Sequence, residues 1–240
     1  IIEIDLSNLD TSKVTNMNSM FNQCINLKII NFGNINTSVV ENMHQLFYNC
    51  TKLETINLSN FDTSSVTTMR TLFAYCESLI SIDVSQFNTS NVVDMRGIFA
   101  YCYQLTSINL SNFDTSKVEN MRGMFFNDYN LKYLDLSNFD TSSANNIYVT
   151  FGNCNSLIFL NLYNFIFKID TNIDGIIWAT SNFIKICIRD EDSKNIFQGK
   201  TNKICNCSDL CFNKNIKIDL KLNKCVKFCN ESEYKYEYNN

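Results

Sequence analysis

One histidine, one tryptophan and no proline occur among the 240 residues. With His44 as the only imidazole, a nucleophile paired with a histidine base is unavailable, and no catalytic residue, cofactor or resident metal is expected. No stretch of 18 consecutive apolar residues is present, so a membrane is reached only through an anchor outside this fragment. Excess basic charge is missing too: the net charge is -4, with 14 acidic against 8 basic residues up to position 165 and 10 against 12 beyond it. That balance excludes a basic nucleic-acid footprint. The chain starts at Ile1 inside a strand-like segment, without initiator Met or signal peptide, and reads as a piece of a longer protein. The absence of proline, beside an abundance of Asn, Ile, Lys, Tyr and Phe, suits AT-rich coding and says nothing of function.

What the chain does contain is one 26-residue text written six times without insertion or deletion. Met17, Met43, Met69, Met95, Met121 and Ile147 mark one position, Phe21, Phe47, Phe73, Phe99, Phe125 and Phe151 a second, and Leu27, Leu53, Leu79, Leu105, Leu131 and Leu157 a third. A fixed period of this size is the signature of a solenoid, whose units bury their apolar edges only by stacking on one another. Each unit reads as a strand followed by a helix. Leu79, Ile82, Val84 and Phe87 follow the L-x-x-L-x-L-x-x-F strand template of leucine-rich repeats, with alternating apolar residues at its centre. Asp-Thr-Ser or its equivalent follows (Asp10, Asp62, Asn88, Asp114, Asp140), which suits the capping of exposed helix N–H groups. Val92, Met95, Phe99 and Cys102 then recur at spacings of three and four, as on the inward face of a short helix. The expected fold is an α/β repeat: a right-handed leucine-rich-repeat solenoid, parallel strands on one side and short helices on the other, followed by a small disulfide-rich segment.

The string LSNFDTSKVENMRGMF at Leu110–Phe125, with the Cys and Leu that follow in most units (Cys102 and Leu105 in the unit before), resembles the BspA-type leucine-rich repeat of microbial surface proteins. The resemblance covers residues 1 to about 165. It implies a secreted or surface-anchored, non-enzymatic solenoid, in several cases an adhesin for host or matrix proteins. The family supplies no catalytic residues and no fixed ligand motif to carry over.

The cysteines divide in two. Cys24, Cys50, Cys76, Cys102 and Cys154 share one repeat position, which Asp128 fills in the fifth unit; on an inward helical stripe they read as small buried hydrophobes, too far apart on the helical side for disulfides. Cys187, Cys205, Cys207, Cys211, Cys225 and Cys229 lie outside the repeat and are even in number, as in a disulfide framework of an oxidising compartment. The pairs Cys207/Cys211 and Cys225/Cys229 leave a four-thiolate zinc site as the competing account, against which stand the long spacing and the leftover Cys205. The text from Asn223 to Asn240 resembles one unit of a furin-like cysteine-rich array.

Three regions follow: the repeat array over 1–165, a C-terminal cap over 166–200 where Ile166 and Phe167 replace the polar corner, and a cysteine-rich segment over 201–240, the start of a longer stalk. In the cap, residues 183–188 read as a last strand, 193–197 as a short helix, and Trp178 as packed inside, with an exposed, ligand-binding Trp178 as the alternative. On the array, Arg70, Arg96 and Arg122 stack in successive units, either as a solvated charged face or as contacts for a sulfated or phosphorylated ligand. His44 shares their position, and the variety there reads as solvent exposure. The outward strand positions Asn31, Asn57, Asp83, Asn109, Asp135 and Asn161 suit hydrogen-bonded ladders between units. Tyr133, Phe159 and Tyr163 are either covered by the cap or form a contact patch. Seven N-x-S/T sequons (Asn36, Asn49, Asn57, Asn88, Asn109, Asn206, Asn230) suit a glycoprotein. The functional expectation is adhesion, or recognition of a protein or glycan ligand on a cell or matrix surface, by an extracellular or surface-exposed protein. A receptor ectodomain and a coat or spacer protein are the alternatives.

Overall fold

A computed structural model describes residues 1–182, 184–189 and 196–197, and the backbone alone of 204–206, 217–219 and 224–226. The strands are short: β1 (Glu3–Asp5), β2 (Ile29–Asn31), β3 (Tyr133–Asp135), β4 (Phe159–Asn161), β5 (Lys185–Ile188), β6 (Ile204–Asn206), β7 (Lys217–Asp219) and β8 (Lys224–Val226). Pairing is parallel from β1 to β2 and along β3-β4-β5-β6, and antiparallel from β7 to β8. Tyr133, Phe159 and Lys185 stand opposite one another, so the 26-residue offset runs on through β5; only the β5–β6 pairing shortens it, to 18, with Ile186 opposite Ile204. The side-chain pattern stops near residue 165, but the backbone register does not stop there.

The other side of each unit corrects the sequence reading. No helix forms over 92–102 or its equivalents; among the described residues only 196–197 are helical, while residues 193–195 of the expected short helix lie outside them. In place of a helix stands a chain of overlapping β-turns whose N–H groups alternate in use. Met20, Asn22 and Cys24 donate within the unit to Met17, Ser19 and Phe21, whereas Met17, Ser19, Phe21 and Gln23 donate to Asn42, His44, Leu46 and Tyr48 of the next unit. The same four cross-unit bonds recur at every step to the last, where Ile147, Val149, Phe151 and Asn153 donate to Asn172, Asp174, Ile176 and Trp178. Such turns require positive φ, and two columns provide it throughout, one running Ser19, Gln45, Thr71, Gly97, Gly123, Val149, Gly175 and the other Gln23, Asn49, Tyr75, Tyr101, Asn127, Asn153, Ala179. Because a chain of turns also brings every third or fourth side chain inward, Val92, Met95, Phe99 and Cys102 look helical in sequence while being fully buried behind turns.

Columns of like residues make the core. Phe21, Phe47, Phe73, Phe99, Phe125 and Phe151 stack in line, with centroids 5.3 to 6.0 Å apart and rings within 16° of parallel. Leu79, Leu105 and Leu131 are fully buried at one position of three successive units. Stacking is what buries them: Leu9 and Met20 in the first unit are 54% and 44% exposed, but Ile35 and Leu46, one unit on, 6% and 0%. At about 25 cal/mol per Å² of apolar area, that difference makes neighbouring units the main source of stability.

Between strand and turns, the Asp-Thr-Ser corner does two jobs. Oδ1 of Asp10, Asn36, Asp62, Asn88, Asp114 and Asp140 accepts the N–H two residues on, at 2.7 to 3.1 Å, so the polar residue caps a turn and not a helix. The threonines beside them are buried. Thr37, Thr89 and Thr115 donate to the carbonyls of Asp62, Asp114 and Asp140 in the next unit, and the N–H of each of those residues donates back to the same hydroxyl, all at 2.8 to 2.9 Å.

Candidate functional site

Once stacking has used its share, the residues left for recognition are those that depart from the repeat text. The arginines do share one column, and they differ in state. Arg96 is committed to Asp94, its Nη2 lying 2.6 Å from Oδ2 and its Nε bonding both carboxylate oxygens. The guanidinium of Arg122 sits 5.2 Å from the centroid of the Tyr148 ring, and Arg70 is exposed. His44, expected in solvent, is half-buried; its Nε2 is covered without a hydrogen-bond partner, and burial first, then the charge of Arg70, push its pKa down.

Tyr133 and Phe159 meet as neighbours in β3 and β4, both half-buried. Tyr163 lies four residues past Phe159 with the Arg189 guanidinium 5.9 Å from its ring centroid. Asn161, on the same face, is fully buried, whereas Asn31, Asn57, Asp83, Asn109 and Asp135 are exposed. All three aromatic residues of this cluster are half-buried, beside the fully buried Asn161. The outward Asn and Asp residues do not form the expected ladder: Oδ1 of Asn57, Asp83 and Asn109 accepts the N–H of Ser59, Ser85 and Ser111 in its own unit, and one cross-unit bond, Asn31 Nδ2 to Asp5 Oδ1 at 3.2 Å, joins the column. The cross-unit ladder belongs to a neighbouring column, in which Asn60, Asn112, Asn138 and Asn164 donate to carbonyls of the preceding unit.

Trp178 is 58% exposed, not packed inside a cap; its column holds Tyr48, Ala74, Ala100, Phe126 and Gly152 in earlier units. That column borders the feature that sequence reading passed over. Tyr75 and Tyr101 occupy positive-φ positions, at 61° and 64°, where Asn49, Asn127 and Asn153 serve in other units. A bulky side chain there costs strain. Their rings stack at 4.0 Å, Tyr48 meets Tyr75 edge-on at 5.3 Å, Tyr101 meets Tyr103 at 6.2 Å, and Tyr103 stacks on Tyr129 at 5.1 Å. The result is a half-exposed ladder of five tyrosines on the turn side, in which burial raises the phenols of Tyr75 and Tyr103. Two tyrosines replacing asparagine at one repeat position were the available signal.

Cys50, Cys76, Cys102 and Cys154 are fully buried. Each thiol donates to the carbonyl of a Phe in the preceding unit, at 3.0 to 3.3 Å, and burial raises its pKa, to about 12 for Cys50. Such thiols are poor nucleophiles. The wide spacing expected on this side does not occur, since the turns are bonded unit to unit. Cys24 is half-buried. Of the six candidate disulfide residues, Cys187 is buried in β5 and its backbone stands opposite Cys205 of β6. Cys225 falls in β8; the side chains of Cys205 and Cys225, and Cys207, Cys211 and Cys229 altogether, lie outside the described residues. Among the described residues no cluster of His, Cys, Asp or Glu could hold a metal ion, and no helix is long and apolar enough to cross a membrane.

A family model described as "Mycoplasma protein of unknown function, DUF285" matches residues 2–82 and again residues 78–190. No curated protein and no solved structure matches the chain.

Proposed function

The chain belongs to the DUF285 family, and we propose that its repeat array is a non-enzymatic recognition rod of a surface-exposed or secreted protein. In this reading the units wind as a solenoid akin to BspA-type leucine-rich repeats, and the array binds a protein or glycan ligand on a cell or matrix surface. One observation carries it: the text positions are spent on stacking and cross-unit bonds, so only departures from the text remain to encode a partner. The largest group of departures is the ladder of Tyr48, Tyr75, Tyr101, Tyr103 and Tyr129, whose residue type is the one enriched at binding hot spots. Arg70 and Arg122 are a second group and the Tyr133, Phe159 and Tyr163 cluster a third.

Attachment of the purified chain to host-type cells and to immobilised matrix protein tests the reading. Replacing Tyr75, Tyr101 and Tyr129 together by Ser should weaken binding more than tenfold, about 1.4 kcal/mol or more, with the fold intact. The triple Ser variant at Tyr133, Phe159 and Tyr163 should lose less, because that cluster has three members beside the fully buried Asn161, against five in the tyrosine ladder. Replacing Arg70, Arg96 and Arg122 should weaken binding in a salt-dependent way if the partner is anionic. Full binding by all three variants would make the array a spacer and move the contact elsewhere.

A further inference from the structure

One unit breaks the cysteine column. Asp128 stands where the other units have a thiol, with none of its surface exposed. Its Oδ1 accepts the N–H of Cys102 at 2.8 Å, while Oδ2 is equally buried and has no partner. The titratable groups that face it are the thiol of Cys102 and the phenol of Tyr103 from the preceding unit and the thiol of Cys154 from the following one; none is cationic. An ionised carboxylate in this place would be an uncompensated charge in a packed core, whereas a neutral carboxyl supplies what its column uses elsewhere, a single proton on a small buried group. Burial accordingly pushes the acid well above the ordinary carboxylate range.

The segment around it is connected to the surface. Asn127, at positive φ, donates its N–H to Gly152 and its Oδ1 accepts from Asn153 Nδ2. Asp128 donates to Phe125, and Tyr129 follows directly, stacked on Tyr103. We propose that Asp128 is a proton-operated latch: as a neutral acid it seats residues 127–129, and loss of its proton releases them and unstacks Tyr129 from the tyrosine ladder. The latch concerns the seating of the fifth unit and stands whether or not the tyrosines touch a partner.

The sign follows from the raised affinity for the proton. A carboxyl that holds its proton in the folded unit but not in the opened one contributes its stability fully below the ordinary carboxylate range, and that contribution is lost as pH rises toward the folded pKa. Between those limits the opening constant of the segment grows by about tenfold per pH unit. Amide hydrogen exchange on the whole chain, expressed as protection so that intrinsic pH effects cancel, reads this directly. The amides of Cys102 and Asn127 should open more with each step from about pH 5 to about pH 8, while that of Asn49, bonded in the same way to Ala74, should not. Asp128→Cys, which restores the residue of the column, and Asp128→Asn should both abolish the pH dependence at Cys102 and Asn127. An infrared band of a protonated carboxylic acid should be present at neutral pH and missing from the Asn variant. Equal pH dependence in all three proteins, or no such band, overturns the latch. Should the Asn variant fail to fold, the comparison of wild type with the Cys variant decides alone.

Discussion

The strand side and the turn side of the same units are held together differently. Parallel strand pairing is found at the two ends of the array, in β1–β2 and β3–β4–β5. Between them the strand side keeps little backbone pairing, such as the bond from Ile80 to Glu54 and the bridge from Ser107 to Tyr133, and is joined by apolar columns and by asparagine side chains such as Asn112 reaching back to Val84, Ser85 and Phe87. The turn side carries four backbone bonds at every step from the first unit to the seventh. The side with the recognisable strand template is thus not the side with the most regular backbone pairing. Backbone N–H groups that face another unit need a partner once buried, and overlapping turns aim half of theirs along the stack.

Removing chain length is the harshest way to break this comparison. Deleting residues 79–104, one whole unit, should leave a folded chain with one step fewer, since every column and cross-unit bond finds an equivalent partner. Deleting thirteen residues, 79–91, sets turns against strands and should abolish cooperative unfolding in a circular-dichroism melt. Milder substitutions sharpen the contrast. Thr89→Val keeps the shape but strips both the N–H and the C=O of Asp114 of their partner, and should cost about 3 kcal/mol by urea unfolding. Asn109→Ala removes one exposed bond to Ser111 on the strand face and should cost less than about 1 kcal/mol.

How far the sequence revealed this depends on the column. The stacked Phe, Leu and Met columns were legible because each is apolar at an unbroken spacing, and that suffices for stacking whatever the backbone does between them. The turns were not legible from apolar spacing, which they share with a helix. Their signal lay in Gly97, Gly123 and Gly175, three glycines at one register point in the middle of the supposed helix, all at positive φ. The tyrosine ladder escaped because its members come from neighbouring columns, and Asp128 because an acid in place of a thiol reads as a surface residue until its burial is seen. The glycine column also yields a test. Thr71 is β-branched at φ 50°, and its hydroxyl is buried without a partner. Thr71→Gly should therefore stabilise the chain by about 1 kcal/mol, and Gly97→Val, the reverse change one unit on, should destabilise it by at least as much. Reversed signs in urea unfolding, with Thr71→Gly destabilising and Gly97→Val stabilising, would mean that side-chain packing, and not φ, governs the turn side.

The smallest effect expected is at the polar corner that links the two sides. Asp62 and Asp114 each accept the hydroxyl and backbone N–H of the serine two residues on, and these hydrogen bonds hold their pKa values below the ordinary carboxylate range. A depressed folded pKa means that the unfolded chain binds the proton more readily. The contribution is therefore present above the unfolded value of about 3.8 and is lost as pH falls through the folded value. Both carboxylates are largely in water, so each loss is small, and it acts on turn caps without touching the buried threonine bonds beside them. Asp62→Asn, which keeps the acceptor and removes the charge, should flatten the acid limb of stability slightly while leaving stability at neutral pH nearly unchanged. Carboxyl carbon shifts followed by NMR through the acid range should show Asp62 and Asp114 titrating below the ordinary carboxylate value of about 3.8. If both titrate at that ordinary value, the turn hydrogen bonds do not hold the charge, and the corner contributes to acid stability chiefly through its threonines.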